Sequence, residues 1–331
     1  MIAMRPFVLP PKSPASPLLA DLVVLGALVG ATVRRSRQNA LVAAAGGQVH
    51  RRGVAPGRGL EYAGSRPYLP GDDARALDWR QLARRGRPMT KQFHPETEQP
   101  VLMFVDLGPR MQWGSRAEFK AVAAARAAAT LAWGVAAAGD RVGGVVSDGK
   151  TLRLAPPRGH TPGVLQWLRA LAPVAEVSEQ GSLSGSHPLA GWEAIIRLQR
   201  PGGQVVAFVD HATLAASGAE EERCLRRISR VGQLLLVPVV DVLEQRPPSP
   251  GRYPIDEDGH VTVVDYADPA VRHAHADRFT ARAAAIAAVA GRVGAGVTWW
   301  WAGRPPVDAL RVMQIGLAVE GPPSSGGGGR P

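Results

Sequence analysis

Residues Val101–Leu107 read VLMFVDL, and residues Gln204–Asp210 read QVVAFVD. Each is a short unbroken apolar run that reaches an aspartate at its end. Neither alternates apolar with polar, so both read as strands covered on two faces, the condition of strands inside a parallel sheet. A carboxylate at the C-terminal end of such a strand lies at the edge where open α/β sheets gather their functional groups. Gln233–Val240 is a third run of the same kind and leads into Asp241. Arg141–Ser147 predicts a further strand, with Thr151–Leu154 returning across the turn at Asp148-Gly149. Helical patterns fall between and after these runs, over Glu118–Ala138, Pro162–Leu171, Ala190–Leu198, Glu220–Val231 and Arg272–Arg292. In Glu220–Val231 the acidic residues come first and the arginines last, which suits the helix dipole. Gly296–Trp301 predicts a last strand and Val307–Met313 a last helix. Arg252–Asp265 predicts a β-hairpin turning at Asp258-Gly259. Strands alternating with helices predict an α/β fold with a doubly wound, mostly parallel sheet.

Upstream of that alternation, Gly59–Glu98 is dense in polar residues. Pro70-Gly71 is a turn signal, because proline presets φ and glycine accepts positive φ. Asp72 is a candidate N-cap for a short helix from about Asp73 to Arg84, and Met89–Phe93 predicts a strand. Arg66, Arg75, Arg80, Arg84, Arg85 and Arg87 sit among Asp72, Asp73 and Asp78, which suggests a charge network.

The run Glu61-Tyr62, Arg66-Pro67-Tyr68, Pro70-Gly71-Asp72-Asp73, Arg75, Asp78-Trp79 and Ala83-Arg84 resembles the signature of the bacterial proteins called domain of unknown function 58. The pattern there is roughly E-[FY], R-x-Y-x-x-G-D-[DP]-x-R-x-I-[DN]-W, with A-[RK] a few residues on. The resemblance runs from about residue 20 to about residue 313. It implies a von Willebrand factor A-like domain behind a small β-rich and helical N-terminal element. It also implies a MoxR-type AAA+ ATPase as partner, since genes of the two kinds often adjoin. The expected organisation is a disordered 1–16, an N-terminal helix and signature element over 17–99, the sheet domain over 100–316 with the hairpin as an insertion at 252–265, and a flexible tail over 317–331. Strands are also expected over residues 48–59.

The resemblance further implies a metal position. In von Willebrand factor A domains the first strand ends in D-x-S-x-S, and a loop threonine and a later aspartate complete a site for Mg²⁺ or Mn²⁺. Asp106 stands at the first aspartate and Asp210 at the last. Gly108 and Arg110 stand where the serines would be. Glycine supplies no ligand and arginine brings a permanent positive charge, so the expectation is that no metal binds. Arg110 either pairs with Asp106 or Asp210 in place of the ion, or points to solvent. Ser182, Ser184 and Ser186 share the loop where the threonine would fall.

Composition sets outer limits. The chain has 331 residues, 45% of them hydrophobic, and a net charge of +11. Of that charge, +8 lies in residues 1–100, so a basic N-terminal third leaves nucleic acid or an anionic surface open as a partner. Biased arginine usage explains the same figure without any partner. A lone cysteine, Cys224, excludes an internal disulfide and a cysteine metal cluster; a cytoplasmic location is expected. Leu22–Val33 is apolar but, at about twelve residues, short of the roughly 20 needed to cross a bilayer. No transmembrane span or signal peptide is expected, and peripheral membrane contact through this segment stays open.

Catalytic patterns are absent from the sequence: no glycine-rich phosphate loop with lysine and no G-x-S-x-G elbow. His94, Glu96 and Glu98, and likewise His273, His275 and Asp277, lack zinc spacing, and the expectation for each is a surface residue. The signature residues read either as a docking surface or as a buried clamp. Together these readings predict a non-catalytic adaptor without cofactor, acting with the ATPase on unknown client proteins; nucleic-acid binding is the alternative.

Overall fold

The computed structural model describes residues 19–27, 29, 61–68, 77–94, 100–115, 118–172, 188–257 and 260–312. Two compact units divide the chain, one over residues 37–98 and the other built from residues 1–36 and 99–331.

The larger unit is organised on a sheet. Its strands are β3 (Val101–Asp106), β4 (Arg141–Ser147), β5 (Leu152–Gly159), β6 (Gln204–Asp210), β7 (Gln233–Val240), β10 (Gly296–Val297) and β11 (Trp300–Trp301). The order across the sheet is β10-β7-β6-β3-β4-β5, and β11 also pairs with β7. Among these strands every pairing is parallel except β4 with β5. Parallel neighbours need crossover connections, and the chain supplies α3 (Lys120–Ala138), α4 (His160–Leu171), α5 (Leu189–Leu198), α7 (Ala219–Val231) and α9 (Pro269–Val293). This is the doubly wound, mostly parallel sheet that the strand pattern predicts.

Alternate side chains of each central strand serve opposite cores. Met103, Val105, Val206, Phe208, Leu235 and Val237 join α3 and α4 on one face. Leu102, Phe104, Val205, Ala207, Leu234 and Leu236 join α5, α7 and α9 on the other. Phe104 and Trp192 meet there with ring centroids 4.4 Å apart. On the first face α3 is alanine-rich, so it lies close against the strands, and most of its side chains are buried.

Close approach also dictates Gly144 in β4. Its φ is +151°, and a Cβ there would overlap the Met103 carbonyl oxygen of β3. The neighbouring register shift between Val142 and Gly144 is the bulge that lets β5 follow β4.

Several elements differ from the sequence reading. The helix α1 (residues 19–27) belongs with the sheet unit rather than with the signature element. Its Leu22 and Leu25 join the α3 core, and Trp133 of α3 donates to the Leu22 carbonyl. The terminal strand is broken into β10 and β11, and the terminal helix into a 3₁₀ turn, Pro306–Asp308, and α10 (Ala309–Val312). Two short helices that lack a periodic signal, α6 (His211–Ala215) and α8 (Val242–Gln245), follow β6 and β7 directly. The hairpin is present as β8 (Arg252–Glu257) and β9 (His260–Asp265); its turn lies outside the described residues.

In the smaller unit β1 (Glu61–Pro67) and β2 (Met89–His94) pair antiparallel, with α2 (Trp79–Arg85) between them in sequence. Residues 48–59, expected as strands, lie outside the described residues, as do the N-terminal stretch 1–16, the tail from 317 and Ser182, Ser184 and Ser186.

Candidate site at the carboxyl ends of the strands

Three central strands deliver an aspartate to one edge of the sheet: Asp106 ends β3, Asp210 ends β6, and Asp241 follows β7. All three are buried. Each is put to work on nearby backbone. Asp106 Oδ1 accepts from the Gly108 N–H at 3.0 Å. Asp210 Oδ1 accepts from the Thr213 N–H and hydroxyl, which starts α6. Asp241 caps α8 through the Leu243 N–H, and the Glu244 carboxylate reaches back to the Asp241 N–H at 2.8 Å.

Between these carboxylates lies a cation that is part of the chain. Lys120, the first residue of α3, has its Nζ 2.6 Å from Asp210 Oδ2 and 2.8 Å from Glu244 Oε1, and its side chain is 1% exposed. The Trp113 ring covers it, with the centroid 5.1 Å from Nζ. The loop carrying Trp113 is tied down at both ends. Gln112 Nε2 donates to the Leu107 carbonyl, the Lys120 N–H donates to the Trp113 carbonyl, and the Ser115 N–H and hydroxyl both donate to Asp241.

The charges set the protonation states. Burial alone would depress the Lys120 ammonium, but Asp210 and Glu244 outweigh it and hold its pKa above the usual lysine value. For Asp210, burial pushes the pKa up, and the Lys120 and His211 contributions reverse this, holding the carboxyl well below its usual range. At Asp106 burial wins. It raises the pKa to about 7, the Gly108 N–H offsets part of that, and the nearby Asp210 charge adds to it.

His211 completes the cluster. It is fully buried, and its Nδ1 has no hydrogen bond while lying 3.5 Å from Glu244 Oε2 and 3.7 Å from Asp210 Oδ2. Arg282 faces the other ring nitrogen at 3.5 Å. An arginine can only donate, so Nε2 is the acceptor in that contact. His273 is exposed, as expected. His275, also expected at the surface, is half-buried instead. It hydrogen-bonds the Tyr266 hydroxyl and the Leu243 carbonyl, which steadies α8 and hence Glu244.

A divalent ion of the kind that von Willebrand factor A domains hold does not fit this donor set. Such an ion needs about six oxygens with close to octahedral geometry. Gly108 offers no side-chain oxygen, and Asp210 Oδ2 and Glu244 Oε1 are occupied by the ammonium. The cation is not the arginine suggested by the serine positions. Arg110 sits in the 3₁₀ turn Pro109–Met111 and is exposed, so it does not pair with Asp106 or Asp210. A guanidinium fork is too large and too planar for a pocket the size of an ion, whereas an ammonium is a compact point charge. One signal for Lys120 was available in the sequence. The chain has four lysines against thirty-five arginines, and this lysine opens an alanine-rich helix where the dipole disfavours positive charge.

The signature residues divide. Glu61, Tyr62 and Arg66 belong to β1, and Gly71, Asp72, Asp73 and Arg75 lie outside the described residues. Asp78 is buried, Tyr68 is half-buried, and Trp79 and Arg84 on α2 are exposed, Trp79 by 65%. The helix begins at Trp79, so Asp78 flanks its start.

The family model for "Protein of unknown function DUF58" matches residues 64–285, two thirds of the chain. The chain belongs to the DUF58 family. Uncharacterized proteins of Mycobacterium tuberculosis and Mycobacterium bovis are each 28% identical to this DUF58 protein over 236 residues, covering 70% of this chain and 70% of theirs. Among solved structures, similarity extends to BatB of Bacteroides thetaiotaomicron, with 15% identity, 65% of this chain and 96% of that one covered, and a TM-score of 0.41. An aerotolerance-related membrane protein of Bacteroides fragilis gives 14% identity over 66% of this chain and 98% of that one, with a TM-score of 0.40. A von Willebrand factor type A protein of Catenulispora acidiphila gives 12% identity over 69% and 43%, with a TM-score of 0.34. Among the described residues of this DUF58 protein, α3 alone is long and apolar enough to cross a membrane, and 67% of its apolar window is buried inside the protein.

Proposed function

We propose that this DUF58 protein is a non-catalytic adaptor whose sheet unit serves as an ion-independent recognition platform, acting in the cytoplasm with a MoxR-type AAA+ ATPase on client proteins. The observation that supports the platform is the Lys120 ammonium between Asp210 and Glu244. A cation fixed by covalent attachment leaves no open coordination position for a substrate or a metal-bound water, which metal-assisted hydrolysis requires. A lysine held protonated by two carboxylates is likewise a poor base or nucleophile. The ATPase partnership draws on the family resemblance. An exposed Trp79 and an exposed Arg84 on the same short helix support a docking role for the signature element, since tryptophan and arginine are among the residues most enriched at binding hot spots.

The test is retrieval of the host's MoxR-type ATPase by the tagged full chain, with the ATPase detected directly. The wild type is expected to retrieve it, and Asp72→Ala, Arg75→Ala and Trp79→Ala to retrieve several-fold less. A wild-type chain that retrieves no ATPase, with or without ATP, removes the partnership.

A further inference from the structure

We infer that the outer edge of β9 is a docking strand for an extended, basic segment of a partner protein, which adds to the hairpin as a third strand. This goes beyond the adaptor reading, and it needs neither the ATPase nor the buried lysine.

The hairpin stands apart from the main sheet, and among the described residues β9 pairs with β8 alone. The Tyr266 N–H donates to the Gly251 carbonyl at 2.7 Å, which fixes the phase of the ladder. Opposed residues in an antiparallel pair alternate between exchanging both hydrogen bonds and exchanging none. With the register Tyr253↔Val264 and Ile255↔Thr262, these four residues bond across the hairpin. The backbone groups of the residues between them face outward: Arg252, Pro254 and Asp256 on β8, and Val261, Val263 and Asp265 on β9.

The two edges differ. On β8 the middle outward position is Pro254, which has no N–H to offer, and a proline there blunts an edge. On β9 the outward positions include Val261 and Val263, whose side chains share one face and are 66% and 56% exposed. Asp265 is turned to local use, its carbonyl accepting from the Asp268 N–H and its carboxylate from the Ala267 N–H. Val261 and Val263 therefore offer donors, acceptors and apolar surface together, the template that strand addition uses. The base of the hairpin is anchored. Tyr266 is buried, meets the Tyr253 ring edge-on at 5.9 Å and hydrogen-bonds His275 of α9, and the Tyr253 hydroxyl donates to the Ser249 carbonyl.

Charge selects the occupant. From Arg252 to Asp268 the sequence carries five carboxylates, Asp256, Glu257, Asp258, Asp265 and Asp268, against one arginine, in a chain whose net charge is +11. Pairing β9 with β9 of a second copy would gather these like charges, which is unfavourable. A segment with lysine or arginine beside β-branched residues meets them with opposite charge and sets its apolar side chains against the two valines.

The experiment titrates the fluorescent peptide KVTVRVTK with the full chain and follows anisotropy. Binding is expected at low salt, and about tenfold weaker binding is expected for the acidic analogue EVTVEVTE and for the basic peptide at high salt. Val263→Pro gives β9 the missing donor that Pro254 gives β8 and leaves the bonds to β8 in place. It is expected to weaken binding about tenfold while its melting temperature stays near that of the wild type. Amide hydrogen exchange in the wild type needs no variant and decides the matter if Val263→Pro is unfolded: bound peptide is expected to slow exchange at Val261 and Val263. No binding of KVTVRVTK at low salt, or equal binding of the two peptides, overturns the proposal. Binding that a folded Val263→Pro leaves unchanged, or that leaves the Val261 and Val263 amides unprotected, also overturns it. So does a wild-type dimer in sedimentation that Val263→Pro abolishes, which makes a second copy the occupant.

Discussion

Lys120, the first residue of a helix, and Asp210, the last residue of a strand, meet across 90 positions of sequence with Nζ and Oδ2 2.6 Å apart and both side chains 1% exposed. Glu244 takes a second N–H of the same ammonium, and its other oxygen accepts from the Asp241 backbone. One lysine therefore ties the start of α3 to the ends of β6 and β7, and the cost of losing it follows from the charges it would leave behind.

Replacing Lys120 by methionine keeps most of the length of the side chain and removes the charge. Asp210 and Glu244 would then face each other without a cation. Breaking a buried pair by deleting one partner costs about 3–5 kcal/mol, and urea denaturation of Lys120→Met is expected to show a loss of that order. Lys120→Arg keeps the charge but forces a fork into an ion-sized pocket, and about 1–3 kcal/mol is expected from overpacking. Full stability in both variants would mean that the ion pair does not hold these elements together.

Asp106 gives a pH signature. It titrates at about 7 in the fold, against 3.8 ordinarily, chiefly because it is buried. Between those values the folded state holds a proton that the unfolded chain has released, so stability falls as pH rises across that window and is level above it. The full span corresponds to about 4 kcal/mol. Asp106→Asn keeps an acceptor for the Gly108 N–H and cannot ionise. It is expected to be more stable than the wild type at pH ~8 and to lack the decline, measured by denaturation at intervals from about pH 4 to about pH 8.

The Lys120 and Asp210 shifts act at the two extremes. Asp210 is depressed, so its contribution is present above its unfolded value of 3.8 and is lost as pH falls through its lower folded value. Lys120 is raised, so its contribution is present below 10.5 and is lost as pH rises through its higher folded value. Asp210→Asn is expected to be less stable than the wild type at neutral pH and to lose less on acidification. Parallel acid titrations of the two proteins, followed by circular dichroism, check this.

Gly144 is a test of the fold rather than of the site. A Cβ that overlaps the Met103 carbonyl oxygen, at φ +151°, meets rigid backbone in the middle of the sheet. Gly144→Ala is expected to cost several kcal/mol, at or beyond the roughly 4–5 kcal/mol that marks an exceptional substitution. A Tm within a few degrees of the wild type would show that β3 and β4 do not approach as closely as described.

The sheet was legible because its strands are buried on both faces: VLMFVD and QVVAFVD need no partner to announce that they are covered, and the aspartates that end them mark the functional edge. The amphipathic helices α4, α5 and α7 showed their period for a related reason, since each has one side to bury. Elements held by capping rather than by an apolar stripe were not legible. The helices α6 and α8 depend on Asp210 and Asp241 accepting backbone N–H groups, and so few residues carry no periodicity.

The family and the succession of strands and helices along the chain follow from residues read in order. Which side chain supplies the positive charge does not. The serine positions implied by the resemblance left Arg110 either paired with Asp106 or Asp210 or pointing to solvent, and the turn after β3 carries it out to solvent. The pocket between β6 and β7 is reached from the start of α3, by Lys120. An ammonium is compensated there only because folding brings Asp210 and Glu244, distant in sequence from it and from each other, to within hydrogen-bonding distance.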